Sequence, residues 1–348
     1  LRFASVQTEA ISEEVANMLL TIKTEFIKDE KYNFKLSYST SDNKITTLDL
    51  GELRLENLKD NLSLFRFNVE HPQLWFPNGY GNPTLYEATI YLYNKKSICL
   101  DSVKTRFGIR TIELSQKKDK YGSEFCFIVN GKPIFAKGAN LVPSAMHKER
   151  YEGMAKHIDL VKDCNMNMLR VWGGGYYVDE QMYKACDEKG ILIWQDFPFA
   201  CALYPASEEY LAEVEAEAKE NVLRISSHPS LALWCGNNEI WEGWGNWSWD
   251  KEVKDTALAV ENYNKLFKQL LPNIVNEYCP TTDYTHSSPL NGWGRKESLT
   301  EGDCHYWGVW WGDSVFETYT RKIPRFMSEY GFQSTPNIKT VNKYFTLP

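Results

Sequence analysis

Two runs carry a carboxylate out of apolar company: Leu233-Trp234-Cys235-Gly236-Asn237-Asn238-Glu239 and Phe326-Met327-Ser328-Glu329-Tyr330-Gly331-Phe332. A carboxylate so surrounded must be hydrogen-bonded, paired with a cation, or protonated. Two carboxyl groups that face each other are what glycoside cleavage requires, one to protonate the leaving oxygen and one to attack or to activate water. The alternative is that Glu239 and Glu329 each pair with an arginine and tie together the rim of the fold. Trp172, Trp194, Trp241 and Trp307 stand near these runs in the pattern. The chain is rich in aromatics, with 12 Trp, 20 Tyr and 17 Phe among 348 residues, and eleven of the Trp lie at or after position 172. Flat apolar faces with a polar handle suit a core and also suit stacking on sugar rings or bases. Trp244, Trp247 and Trp249 fit either loop packing or an outer binding platform.

Other chemistries are poorly supplied. No two of the eight Cys are closer than 15 residues, so no CxxC pair exists, and most sit in apolar stretches as expected of buried reduced thiols. The six His lack HExxH or similar spacing, and no metal site is expected. A net charge of −7 without basic blocks disfavours nucleic acid as a partner. Mean hydropathy is −0.46, and no apolar run approaches the ~18 to 20 residues of a membrane-spanning helix. The first residues show neither the charged start nor the apolar stretch of a signal peptide, and the chain reads as an excised piece.

The elements that must position the two carboxylates follow from the patterning. At roughly 150 residues per domain the length implies about two domains. Up to about residue 110 apolar residues alternate, as at Met18, Leu20 and Ile22, at Leu62 and Leu64, and at Ile90 and Leu92. Turn-forming stretches at Lys28 to Lys31, Ser41-Asp42-Asn43 and Pro77 to Pro83 separate them. Six or seven short strands at this spacing predict an immunoglobulin-like β-sandwich over residues 1–110. Beyond about 125, short apolar runs alternate with stretches of helical period, which predicts a (β/α)8-type TIM barrel over 111–348. The expected strands are Ile134 to Leu141, Met166 to Trp172, Ile191 to Phe197, Leu231 to Gly236, Tyr284 to Ser287, His305 to Trp307 and Phe326 to Tyr330. Glu208 to Ser226 predicts a helix that buries Leu211, Val214, Ala218, Val222 and Ile225. An open doubly wound sheet is the competing arrangement, but no glycine-rich loop follows the first strand. In a barrel the residues just past the strand ends face the site, which puts Glu239 after strand four and Glu329 on strand seven.

The runs Lys137-Gly-Ala-Asn140, Asn165-Met-Asn-Met-Leu-Arg-Val-Trp-Gly-Gly-Gly175, Gly190-Ile-Leu-Ile-Trp-Gln-Asp-Phe197, Trp234-Cys-Gly-Asn-Asn-Glu239 and Ser328-Glu-Tyr-Gly-Phe-Gln333 resemble the β-mannosidase branch of glycoside hydrolase family 2. The likeness covers nearly the whole chain. It implies that Glu239 is the general acid/base and Glu329 the nucleophile of a retaining, exo-acting hydrolase of terminal β-mannosides. It further implies that Asn238 binds the sugar 2-hydroxyl and that Arg170, Trp172, Asp196 and Trp307 shape the terminal-sugar subsite. Asp196 is the foremost candidate for recognising mannose hydroxyls, and Trp194 and His305 complete the substrate-binding set. Glu329 must stay ionised, which calls for a donor such as Arg170. No metal or organic cofactor is expected, and the family places such enzymes in the periplasm, the lysosome or outside the cell.

Three departures from the family pattern accompany the likeness. Neither the sugar-binding sandwich that the family carries ahead of residue 1 nor its eighth barrel strand with a Trp is expected from this sequence, and the loop from Val142 to Tyr151 reads as shorter. The chain by itself is therefore expected to be a poor catalyst. Competing functions are another family 2 β-glycosidase, such as an exo-glucosaminidase, and a noncatalytic sugar-binding module.

Overall fold

Alternating apolar residues in the first hundred positions build seven strands: β1 (Phe3–Ile11), β2 (Val15–Lys23), β3 (Lys31–Ser39), β4 (Ile45–Arg54), β5 (Leu62–Glu70), β6 (Tyr86–Tyr93) and β7 (Cys99–Phe107). The structure is a computed structural model that describes residues 1–25, 31–39, 44–54, 58–142 and 157–345. Two antiparallel sheets, ordered β1-β2-β5 and β4-β3-β6-β7, pack face to face. Met18, Leu20 and Ile22 meet Phe34, Leu36 and Ile90 between the sheets. Two of the expected turns, Lys28 to Lys31 and Ser41 to Asn43, fall outside the described residues except for Lys31.

One strand faces the other way from its apolar pattern. Leu64 is 60% exposed, and Ser63, Phe65, Phe67 and Val69 take the inner face of β5. The register explains this: Ser63, Phe65, Phe67 and Val69 lie opposite Ile22, Leu20, Met18 and Ala16 on β2. Paired residues share a face, so three large side chains outweigh one leucine.

Five short strands, β8 (Ile112–Ser115), β9 (Lys118–Asp119), β10 (Gly122–Ser123), β11 (Cys126–Val129) and β12 (Lys132–Ile134), come next. They displace the expected start of the first barrel strand. Asn130 and Gly131 both adopt positive φ, 50° and 73°, which closes the two-residue hairpin from β11 to β12 and claims Ile134 for it. Phe125 and Phe127 from this region pack on Trp194 and Phe326 and plug the barrel floor.

The barrel strands are β13 (Gly138–Leu141), β14 (Met168–Val171), β15 (Leu192–Asp196), β16 (Leu231–Cys235), β17 (Tyr284–Thr285), β18 (Asp303–Tyr306) and β19 (Phe326–Tyr330). β13 to β17 form one parallel sheet in sequence order, and β18 and β19 form a parallel pair. The fifth strand is two residues shorter than expected; beyond it Ser287 and Ser288 donate their hydroxyls to Asn237 Oδ1 and Asp303 Oδ2, and Ser288 still bridges Asn238. The edges of β13 and β19 face each other across a cleft of about 570 Å³, which Asn140 Nδ2 spans by donating to Ser328 O at 3.1 Å.

Outside the strands lie α1 (His157–Asp163), α2 (Glu180–Lys189), α3 (Glu208–Ile225), α4 (Ile240–Asn246), α5 (Trp249–Glu252), α6 (Thr256–Tyr263), α7 (Leu271–Tyr278) and α8 (Ile338–Tyr344). α3 largely follows its sequence pattern: Ser207 caps it by accepting from Tyr210 N, and Val214, Ala218, Val222 and Ile225 are buried while Leu211 is half-buried at the edge of the core. Among the described residues, no helix is long and apolar enough to cross a membrane. The loop from Val142 to Tyr151, Val142 apart, lies outside the described residues.

The sandwich and barrel are joined by buried polar contacts. Arg110 donates to Pro229 O at 3.0 Å and Leu231 O at 2.5 Å, and Trp75 Nε1 donates to Asp187 O at 2.8 Å. Asp187 also holds His228, with Oδ2 2.6 Å from Nδ1, while Glu180 Oε1 lies 3.3 Å from Nε2. Burial opposes charge on His228, but Asp187 and Glu180 outweigh it and push its pKa up to about 9. A raised histidine pKa contributes stability that is complete below about 6.5 and is lost as pH climbs through about 9. The contribution is about 3 kcal/mol. We therefore expect the melting temperature to fall between pH 7 and pH 10, and to fall by less in His228→Gln. Equal slopes in scanning calorimetry would contradict this account of the joint.

Candidate active site

Glu239 follows the end of β16, where Asn237, Asn238 and Glu239 leave the strand together. Asn237 is fully buried and pins the turn: its Oδ1 accepts from Ile240 N and Ser287 Oγ, and its Nδ2 donates to His286 O. Glu239 itself has φ 62°, a left-handed conformation unusual for a residue with a Cβ, and its N–H donates to Ser288 O at 2.7 Å. Those contacts hold the carboxylate at the barrel mouth despite the backbone cost.

Glu329 arrives on β19, and one oxygen of each carboxylate lies within 4.8 Å of the other. His305, buried on β18, stands between them: Nδ1 is 2.9 Å from Glu239 Oε1 and 3.4 Å from Glu329 Oε2. Its Nε2 is 3.0 Å from Ser288 Oγ. The three side chains have metal-ligand atom types, but the neighbouring guanidinium already supplies positive charge.

That guanidinium is Arg170 on β14, and it organises the site. Nη1 donates to Glu329 Oε2 at 2.9 Å and to Asn140 Oδ1 at 3.1 Å. Nη2 donates to Asp196 Oδ2 at 2.7 Å and to Asn238 Oδ1 at 2.8 Å. Burial by itself would raise the pKa of Glu329, yet His305 and Arg170 outweigh it and hold the carboxyl below its ordinary range. His305 is shifted upward: burial opposes its charge, but Glu329 and Glu239 prevail. For Asp196 burial wins over Arg170, and its pKa is raised.

The predicted site residues fall into two layers. Glu239, Glu329, His305, Asn238, Arg170 and Asp196 form one connected network. Trp172 and Trp307 line the cleft between β13 and β19. Trp194 sits deeper, 1% exposed, with Nε1 donating to Asp196 Oδ1 at 2.9 Å and its ring against Phe125. It supports Asp196 from below. Of the later Trp cluster, Trp247 reaches a cavity beside Glu239, Trp249 packs on Trp247 at 5.5 Å, and Trp244 lies farther out. Trp241 is held between Lys268 and Arg295 behind the site.

Sequence reasoning assigned no role to Asn140, Cys201 or Asp303. Asn140 ends a barrel strand, so the strand-end rule could have found it. Cys201 Sγ lies 3.7 Å from Glu239 Oε2, and Asp303 Oδ2 accepts from both Ser288 and Ser328 hydroxyls. Neither spacing nor composition distinguishes these two in the sequence.

Comparison with known proteins accords with this architecture. Residues 2–110 match the family described as "Glycosyl hydrolases family 2", and residues 123–345 match "Glycosyl hydrolases family 2, TIM barrel domain". Beta-mannosidase B of Aspergillus fumigatus (strain Af293) is 35% identical over 369 residues, covering 99% of this chain and 41% of that protein. Beta-mannosidase B of Aspergillus flavus is 37% identical over 310 residues, covering 83% of this chain and 35% of that protein. The crystal structure of beta-D-mannosidase from Dictyoglomus thermophilum superposes with a TM-score of 0.84 at 33% identity, over all of this chain and 42% of that one. Bacteroides uniformis beta-glucuronidase shares the fold, with a TM-score of 0.64 at 19% identity over 92% of this chain and 34% of that one. The chain thus spans between about a third and two-fifths of the length of these relatives.

Proposed function

The chain belongs to glycosyl hydrolase family 2, and from that premise we propose that it carries the catalytic site of a retaining, exo-acting β-mannosidase. The observation that carries this reading is the separation of the two carboxylates. Retaining enzymes hold the pair ~5 to 5.5 Å apart, whereas inverting enzymes leave room for a water between them at roughly 6.5 to 9.5 Å. One oxygen of Glu239 lies within 4.8 Å of one of Glu329, a closeness that favours the shorter spacing.

In this mechanism Glu329, kept ionised by Arg170 and His305, attacks the anomeric carbon. Glu239 transfers its proton to the glycosidic oxygen as that bond breaks. The leaving group departs, Glu239 takes a proton from an entering water, and that water displaces Glu329 from the sugar. Asn238, whose Oδ1 accepts from Arg170 and whose Nδ2 donates to Cys201 Sγ at 3.5 Å, stands beside Glu239 for the sugar 2-hydroxyl, and the buried Asp196, which accepts from Arg170, Trp194 Nε1 and Gly173 N, braces the terminal-sugar subsite through Arg170. The reading of mannose as the sugar draws on the β-mannosidases at 33–37% identity.

A direct test compares an aryl β-mannoside with the corresponding aryl β-glucosaminide. Faster hydrolysis of the mannoside, with β-mannose as the first product seen by NMR, is expected. Preference for the glucosaminide would move the chain to another family 2 specificity, and a first-formed α-anomer would exclude the retaining mechanism. Sugar binding with no turnover of either substrate would favour a noncatalytic role.

A further inference from the structure

A second cavity, of about 540 Å³, adjoins the carboxylate pair beside the β13/β19 cleft. Glu329 and Trp307 line both spaces, whereas Glu239 lines only the second. An acid that protonates the departing oxygen stands on the leaving-group side, so this second cavity is where the leaving group would lie. Its walls include Trp247, Trp293 and Trp311, which are 39%, 40% and 75% exposed. Such rings present apolar faces to a flat or pyranose ligand.

The same wall holds Glu242, one turn along from Glu239 at the start of α4, and only 3% exposed. A buried carboxylate is normally hydrogen-bonded, with two oxygens able to accept about four bonds. Among the described residues, the ion-pair contact of Glu242 is Arg295 Nε, 3.5 Å from Oε2, and that oxygen accepts no hydrogen bond. Its carboxyl group also lies flat over Gly292, where a side chain would collide with it at 2.0 Å. The site therefore keeps a desolvated acceptor in place, with a guanidinium to retain its charge and unused bonding capacity beside the cavity.

Resting on the glycosidase reading, we infer that Glu242 is a specificity residue that accepts a hydrogen bond from a hydroxyl of the leaving group. The substrate class is then a β-mannoside whose leaving group is a second sugar, held between the Trp faces and selected by that hydroxyl. An aryl leaving group fills the same space but brings no hydroxyl donor to Glu242.

The test measures kcat/KM for β-1,4-mannobiose and for 4-nitrophenyl β-mannoside, in the full chain and in Glu242→Gln. The amide keeps the shape, loses the charge and one acceptor, and is expected to lower the disaccharide-to-aryl ratio of kcat/KM about tenfold or more. Because a buried position can affect folding, the wild-type chain is also assayed on mannobiosides that lack one hydroxyl of the reducing sugar at a time, and one of them is expected to lose about tenfold in kcat/KM. An equal fall for both substrates in Glu242→Gln, or no loss with any deoxy sugar, overturns the inference. A wild-type chain that cleaves the aryl mannoside but not the disaccharide overturns it while leaving the glycosidase reading intact. Failure on both substrates removes that reading and this inference with it.

Discussion

In a complete parent chain, replacing Glu329 with alanine is expected to lower kcat on an aryl β-mannoside by on the order of 10⁴-fold or more, because covalent catalysis has no substitute at that position. Among the described residues, the remaining carboxylates of the network are Glu239, which must release the leaving group, and Asp196, locked against Arg170. Azide provides the decisive control. With Glu329→Ala it is expected to attack an activated substrate directly and give the inverted α-mannosyl azide. With Glu239→Ala it should instead intercept the covalent intermediate and give the retained β-azide. The reverse pairing, a β-azide from Glu329→Ala and an α-azide from Glu239→Ala, would mean that the roles are exchanged.

Arg170→Met is expected to have the next largest effect. The variant keeps bulk but deletes donors to Glu329, Asp196, Asn238 and Asn140 at once. Loss of one preorganised donor typically costs roughly 10²- to 10³-fold in rate, and a drop of at least that size is expected here. The pH profile gives the more specific readout. Arg170 helps hold the Glu329 carboxyl below its ordinary range, so its removal raises that pKa and shifts the acid limb of kcat/KM to higher pH. An acid limb that stays in place would show that His305 suffices to keep Glu329 ionised. Stability responds as well, because Asp196 is left buried without its cation, at a cost of about 3–5 kcal/mol. The double variant Arg170→Met/Asp196→Asn is expected to recover part of that loss, since neither buried charge remains.

Much of this arrangement was legible before any coordinates. The strand-end rule picked Glu239 and Glu329 from their apolar surroundings, and the helical period of Glu208 to Ser226 appears in the structure as α3 with its expected buried face. The fold class, a sandwich followed by a TIM barrel, also followed from the change of periodicity. Where local patterning failed, a competing interaction is visible. Leu64 lost the inner face of β5 to Phe65, Phe67 and Val69, whose register against β2 is a long-range property. Ile134 was drawn from the barrel by the Asn130-Gly131 turn, a signal present in the sequence but overshadowed by the apolar run that follows.

The sequence by itself determined the kinds of element, their order, and which residues leave strand ends at the barrel mouth, because those depend on spacing within a few turns or pleats. Only the tertiary structure decided which of these side chains meet. Arg170 and Glu329 are 159 positions apart, and His305 and Glu239 are 66 apart. Closure of the barrel brings them to within hydrogen-bond range, and no period in the chain records that approach. The same closure put Trp194 beneath Asp196 and set Glu242 beside an aromatic cavity. The electrostatic character of each carboxylate was decided there too: burial and the nearest cation set it, and both are properties of the assembled site rather than of residue type.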